Sequence, residues 1–150
     1  MNRTAAPIEP GHRALLRAWR HLAVTLPADA PELLTVIRHM VKSSLLDWGA
    51  DPERAADIEL CASELLTNAL RYSDGPARLV LAARAGAVHL KVSDTSLLAP
   101  HEIAPDTEGI RENGKGLHIV KALAFTTAVR IRPGWGKTVT ASFDAGFERM

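Results

Sequence analysis

Residues Ala56 to Ser73 read ADIELCASELLTNALRYS, and the periodicity of this stretch decides the fold. Ile58, Cys61, Leu65 and Ala69 recur at helical spacing, with Ala62, Leu66 and Leu70 widening the apolar stripe. One long amphipathic helix is predicted. Glu64 and Asn68 stand four apart, one turn above each other on a single face, so both side chains can converge on one ligand or ion. A carboxylate accepts a proton, and an amide oxygen coordinates a hard cation such as magnesium. An isolated E-x-x-x-N followed by Arg71 also suits an ordinary solvated stripe, so the rest of the chain has to decide between the two.

Downstream, Asp74-Gly75-Pro76 breaks the helix and the period changes from 3.6 to 2. Leu79, Leu81 and Ala83 alternate, Gly86 turns the chain, and Val88, Leu90 and Val92 alternate again, which predicts an antiparallel hairpin. Parity continues to Asp94, on the core-facing side. Leaving such a group buried and unpaired costs about 1–3 kcal/mol or more, so either a neighbouring donor satisfies Asp94 or it is held for an N–H of a ligand. From Ser96 to Asn113 periodicity is lost, and so long a connection in a compact domain is characteristic of a functional lid or mobile loop. Gly114-Lys115-Gly116 closes it, and Leu117, Ile119, Val120 and Leu123 resume a helical stripe. Glycines at a helix start admit close backbone approach to an anion such as phosphate, although a lone G-x-G says little by itself. Val129 and Ile131 suggest a strand, Pro133 to Gly136 a turn, and Val139, Ala141 and Phe143 a final strand with Thr138, Thr140 and Ser142 opposite.

Upstream, residues 1–12 contain Pro7, Pro10 and Gly11 among polar residues and read as a loose tail, leaving 13–150 as one domain. A strand is expected to end at Pro27. Asp29 is a candidate cap for a helix opening near Pro31, with Leu33, Leu34, Ile37, Met40, Val41, Leu45 and Leu46 on its apolar face and Gly49 at its end. Asp51-Pro52 repeats the start signal for the helix that opened this reading. Helix, helix, hairpin, loop, helix, hairpin is the order of an α+β, two-layer sandwich: an antiparallel or mixed sheet with helices on one face.

The chain has 150 residues, 47% hydrophobic and 23% charged, which fits one soluble globular domain. Eighteen basic residues against seventeen acidic leave a net charge of +1, so no overall field recruits nucleic acid or an anionic membrane, and neither is expected as a direct partner. Cys61 is the single cysteine, which excludes an internal disulfide and a cysteine-based zinc site; it reads as a buried structural thiol. The six histidines show no ligand spacing. No apolar run suggests a signal peptide or approaches the roughly twenty residues that span a bilayer, so a cytoplasmic location is expected.

Three motifs stand in fixed order: S-E-L-L-T-N-A-L-R-Y-S on a helix, V-S-D-T-S at a strand end, and G-K-G-L-H-I-V opening a helix after a long loop. From about Leu26 to Phe143 the chain resembles the superfamily of gyrase, heat-shock chaperone, histidine kinase and mismatch-repair ATPases, with a Bergerat-type fold. It looks most like the small stand-alone branch of bacterial anti-sigma factor serine/threonine kinases. The resemblance implies roles residue by residue. Glu64 matches the general base that activates the attacking hydroxyl, and Asn68 matches the asparagine that holds magnesium against the phosphates. Asp94 matches the aspartate that accepts from the adenine amino group. Gly114, Lys115, Gly116 and Leu117 match the phosphate-side segment, and Leu97 to Asn113 matches the nucleotide lid. Arg71 follows Asn68 by three, matching a basic residue of this branch whose implied role is either to help with phosphate or to shape the pocket. Ser96 stands where many superfamily members have glycine and the small branch often has serine. Gly136-Lys137-Thr138 resembles the threonine-bearing strand that assists the adenine aspartate, although strand parity sets Thr138 opposite Val139 and Phe143 and leaves its direction open.

The resemblance therefore implies a protein that uses ATP and Mg2+ to phosphorylate an anti-sigma factor antagonist and that sequesters a sigma factor. Homodimers are common in the family. The chain has no phosphoacceptor histidine segment or sensor before the ATPase domain, which argues against an autophosphorylating histidine kinase. A second reading is an ATP-binding interaction module without phosphotransfer, and a third is an interaction protein whose pocket has decayed.

Overall fold

The computed structural model describes residues 19–96 and 112–144, with the backbone alone for residues 112–116. The expected tail and most of the expected lid lie outside the described residues. Strand β1 spans Arg20–Leu26, β2 Ala77–Arg84, β3 Ala87–Asp94, β4 Thr126–Arg132 and β5 Gly136–Asp144; helix α1 spans Leu33–Asp47, α2 Pro52–Tyr72 and α3 Glu112–Leu123. The strands form one sheet in the order β1-β2-β3-β5-β4, antiparallel at every pairing. Of the two sheet types the sequence allowed, the antiparallel one is found.

Alternation sets the inner face. β2 buries Ala77, Leu79, Leu81 and Ala83, β3 buries Val88, Leu90, Val92 and Asp94, and β5 buries Val139, Ala141 and Phe143. The two-residue turn between β2 and β3 needs left-handed backbone at both positions, and Ala85 (φ 52°) and Gly86 (φ 85°) adopt it. Against this face α1 sets Ile37, Val41 and Leu45, and α2 sets Ala55, Ile58, Cys61, Ala62, Leu65, Leu66 and Ala69. These residues form one core with Leu26 and Val120, giving the expected two-layer sandwich.

The helix ends follow their local chemistry, with one correction. Asp51 caps α2, its carboxylate accepting the Arg54 N–H at 3.2 Å, with Pro52 in the first turn. Gly49 (φ 91°) ends the region of α1, where the N–H groups of Gly49 and Ala50 donate to the carbonyls of Leu46 and Leu45. Asp29, however, does not cap α1. The Ala30 N–H donates to Pro27 and the Leu33 N–H to Ala30, so successive turns occupy 27–33 and the helix starts at Leu33, with Glu32 before it and no side-chain cap.

Candidate functional site

The site begins where β3 ends. Asp94 continues the inward parity of Val88, Leu90 and Val92 and is buried. One carboxylate oxygen, Oδ1, accepts the Ser96 N–H at 2.8 Å, closing an Asx-type turn that leads the chain out of the sheet. Ser96 is itself buried. The neighbouring Thr95 is tied to the end of α2: its side chain hydrogen-bonds the Ser73 hydroxyl, and its N–H donates to Ser73 Oγ at 3.2 Å. Gly75 donates its N–H to the same hydroxyl. A single serine thus couples the helix end to the strand end.

That coupling sets the span of the site. At a rise of 1.5 Å per residue, Asn68 and Glu64 stand about 7.5 and 13.5 Å along the α2 axis from Ser73. Both are half-buried, while Arg71 is exposed near the helix end and has polar partners. Cys61, one turn before Glu64, is fully buried in the core, in line with a structural thiol. Its pKa is pushed up to about 12, first by burial and then by the charges of Asp57 and Glu64.

α2 packs against α1, α3 and β3. α3 begins at Glu112, so Gly114, Lys115 and Gly116 lie within its first turns rather than ahead of it, and Asn113 belongs to the helix rather than the loop. Leu117 is half-buried. Side chains at 112–116 and the lid residues Leu97 to Arg111 lie outside the described residues.

Thr138 is set on the opposite face from Asp94: its hydroxyl hydrogen-bonds Ser93 at 2.9 Å. The residue that meets Asp94 is Lys137. The two are directly opposite in the β3–β5 register, and Lys137 Nζ lies 3.4 Å from Asp94 Oδ2, with both side chains 3% exposed. Sequence reasoning missed this lysine because a charged residue beside a turn reads as solvated. The signal was nonetheless present, since counting back by twos from Phe143, Ala141 and Val139 reaches Lys137 and not Thr138. Gly136 makes the approach possible. Its φ is +128°, and a Cβ there would lie 1.9 Å from the Asp94 carbonyl oxygen.

The face of the sheet away from α1 and α2 carries a separate groove, lined among others by Trp19, Val80, His89 and Thr140. Alternation places it on the opposite side of the sheet from Asp94, so it is no part of this site. Among the described residues no three His, Cys, Asp or Glu side chains group to hold a metal, and no helix is long and apolar enough to cross a membrane.

Comparisons with known proteins bear on this geometry. No curated protein sequence matches the chain significantly. Among solved structures, the crystal structure of the RsbU and RsbW domains of Rv1364c from Mycobacterium tuberculosis aligns at 25% identity with a TM-score of 0.57, covering 83% of this chain and 32% of that one. The chain thus spans about a third of that relative's length. The SiaB–SiaC complex from Pseudomonas aeruginosa aligns at 13% identity with a TM-score of 0.49, covering 81% and 88%. The model of the histidine kinase-like ATPase domain matches residues 26–143, the span that holds the helix pair, the buried Asp94 and the closing hairpin, and the chain belongs to that family.

Proposed function

We propose that this domain binds ATP with Mg2+ and transfers the γ-phosphoryl group to a serine or threonine of a partner protein. The observation that carries the reading is the buried carboxylate of Asp94 at a strand end, coupled through Ser73 to the helix that bears Asn68 and Glu64. The base lies against Asp94, and the phosphates run along α2 towards the first turns of α3, where peptide N–H groups and the helix dipole offset their charge. Asn68 would offer an amide oxygen, a hard donor suited to magnesium, and the ion, when bound, would offset phosphate charge. Glu64 takes the proton from the incoming hydroxyl as its oxygen bonds to the γ-phosphorus and the bond to the β-phosphate oxygen breaks, releasing ADP.

The partner proposed is an antagonist of an anti-sigma factor. Its support is the likeness to the RsbW domain, together with the helix motif S-E-L-L-T-N. Sequestration of a sigma factor and dimer formation belong to the same proposal, as does a cytoplasmic location. Equilibrium binding of ATP with and without Mg2+, beside a phosphotransfer assay with Glu64→Gln, tests it. Glu64→Gln should retain ATP and lose transfer. Unaltered transfer in that variant removes Glu64 from the role, and unaltered partner control without any transfer favours an ATP-dependent interaction module.

A further inference from the structure

The Asp94–Lys137 pair changes what the base end of the pocket offers a ligand. A carboxylate alone is acceptor-only, whereas an ammonium is donor-only with three N–H groups. Here the two lie side by side in a buried position: Oδ1 holds the Ser96 N–H, and Oδ2 faces Lys137 Nζ at 3.4 Å. Among the described residues Asp94 is the acceptor found at Lys137 Nζ, and an ammonium carries three N–H groups. Stability alone is a weak reason to keep such a pair, because a buried ion pair seldom outperforms apolar residues of the same volume.

A lone carboxylate is complementary to the 6-amino group of adenine and repels the 6-oxo group of guanine or hypoxanthine, since two acceptors would then face each other. An ammonium beside that carboxylate supplies the missing donor. The keto oxygen can turn to Lys137 while the adjacent ring N–H donates to Asp94. We propose that Lys137 is a specificity-determining residue through which this pocket accepts 6-oxopurine nucleoside triphosphates as well as ATP. The proposal rests on the reading of the site as a nucleotide pocket and adds the class of base it admits.

The test is equilibrium binding of ATP, GTP and ITP, each with Mg2+, to the wild type, Lys137→Met and Lys137→Arg. In the wild type the three affinities should fall within about tenfold of one another. Lys137→Met removes the donor, so GTP and ITP should weaken relative to ATP by about 10- to 100-fold, the cost of an unpaired buried acceptor. Lys137→Arg keeps a donor and should hold the wild-type ratio. The ratio between nucleotides, rather than either affinity, is the readout, because a purely structural lysine would shift all three together, and an unchanged ratio in Lys137→Met overturns the inference. If the wild type binds ATP but already rejects GTP and ITP, this inference falls and the ATP pocket stands, whether or not Lys137→Met folds. If the wild type binds none of the three, both fall.

Discussion

Asp94 and Lys137 bind each other's fate as well as any ligand's. Removing one partner of a buried pair leaves the other as an uncompensated charge, so Asp94→Asn should destabilise the fold by about 3–5 kcal/mol in urea denaturation. Combining it with Lys137→Met should recover most of that loss. A binding defect in Asp94→Asn therefore speaks to the pocket only when the neutral double variant is measured beside it. Cys61 makes a second prediction at this scale. Its folded pKa of about 12 lies above the ordinary 9.0, so above pH 9 the unfolded chain sheds a proton that the folded chain keeps. The contribution of Cys61 to stability should thus be constant below pH 9 and decline between pH 9 and 12. At pH 8 the native thiol should resist alkylation and react fully once urea unfolds the chain. Individual residues were legible where a periodic pattern carried them. Inward parity disclosed Asp94, and helical spacing disclosed Cys61. Lys137 escaped because its burial depends on a counter-charge 43 positions away, which no local pattern contains.

Among the elements, α2 was the most legible, since its apolar stripe, its Asp51-Pro52 start and its Asp74-Gly75-Pro76 stop all agree. Asp51→Ala should cost about 1 kcal/mol through the lost cap, read as a lower denaturation midpoint with an unchanged m-value. The same residue type misled at Asp29, because an aspartate caps only if the backbone after it turns directly into the helix, and here turns at 27–33 intervene. The start of β5 is less forgiving than either helix end. Gly136→Ala would need a left-handed φ and would drive a methyl group into the Asp94 backbone. Destabilisation of about 2 kcal/mol or more is expected, together with weaker nucleotide binding, because the change displaces both members of the ion pair.

For the whole molecule, the α+β class followed from the order of periodicities, but the strand order did not. β5 lies inside the sheet between β3 and β4, while β4 occupies the edge, and such placement depends on pairings between distant segments rather than on the pattern within any one. Arg130 and Arg132 on β4 suit an edge, where charge discourages pairing with a second sheet. If the site binds nucleotide as proposed, Mg-ATP at a hundredfold excess over its Kd should add about 2.7 kcal/mol to the folded state. For a chain of this size that raises Tm by about 5–10 °C in a thermal melt, and no shift at millimolar ATP would argue against the pocket.

The interior position of β5 also has a consequence for synthesis. β5 is the last of the described strands to leave the ribosome, yet it lies inside the sheet between β3 and β4 and carries the counter-charge of Asp94. Until it emerges, a nascent chain already holding α1, α2 and the β2–β3 hairpin exposes the bare edge of β3 and an unpartnered carboxylate. The Asp94–Lys137 pair therefore forms only after β5 has been made, seconds after α2 exists, and chaperones have that interval in which to shield the open edge.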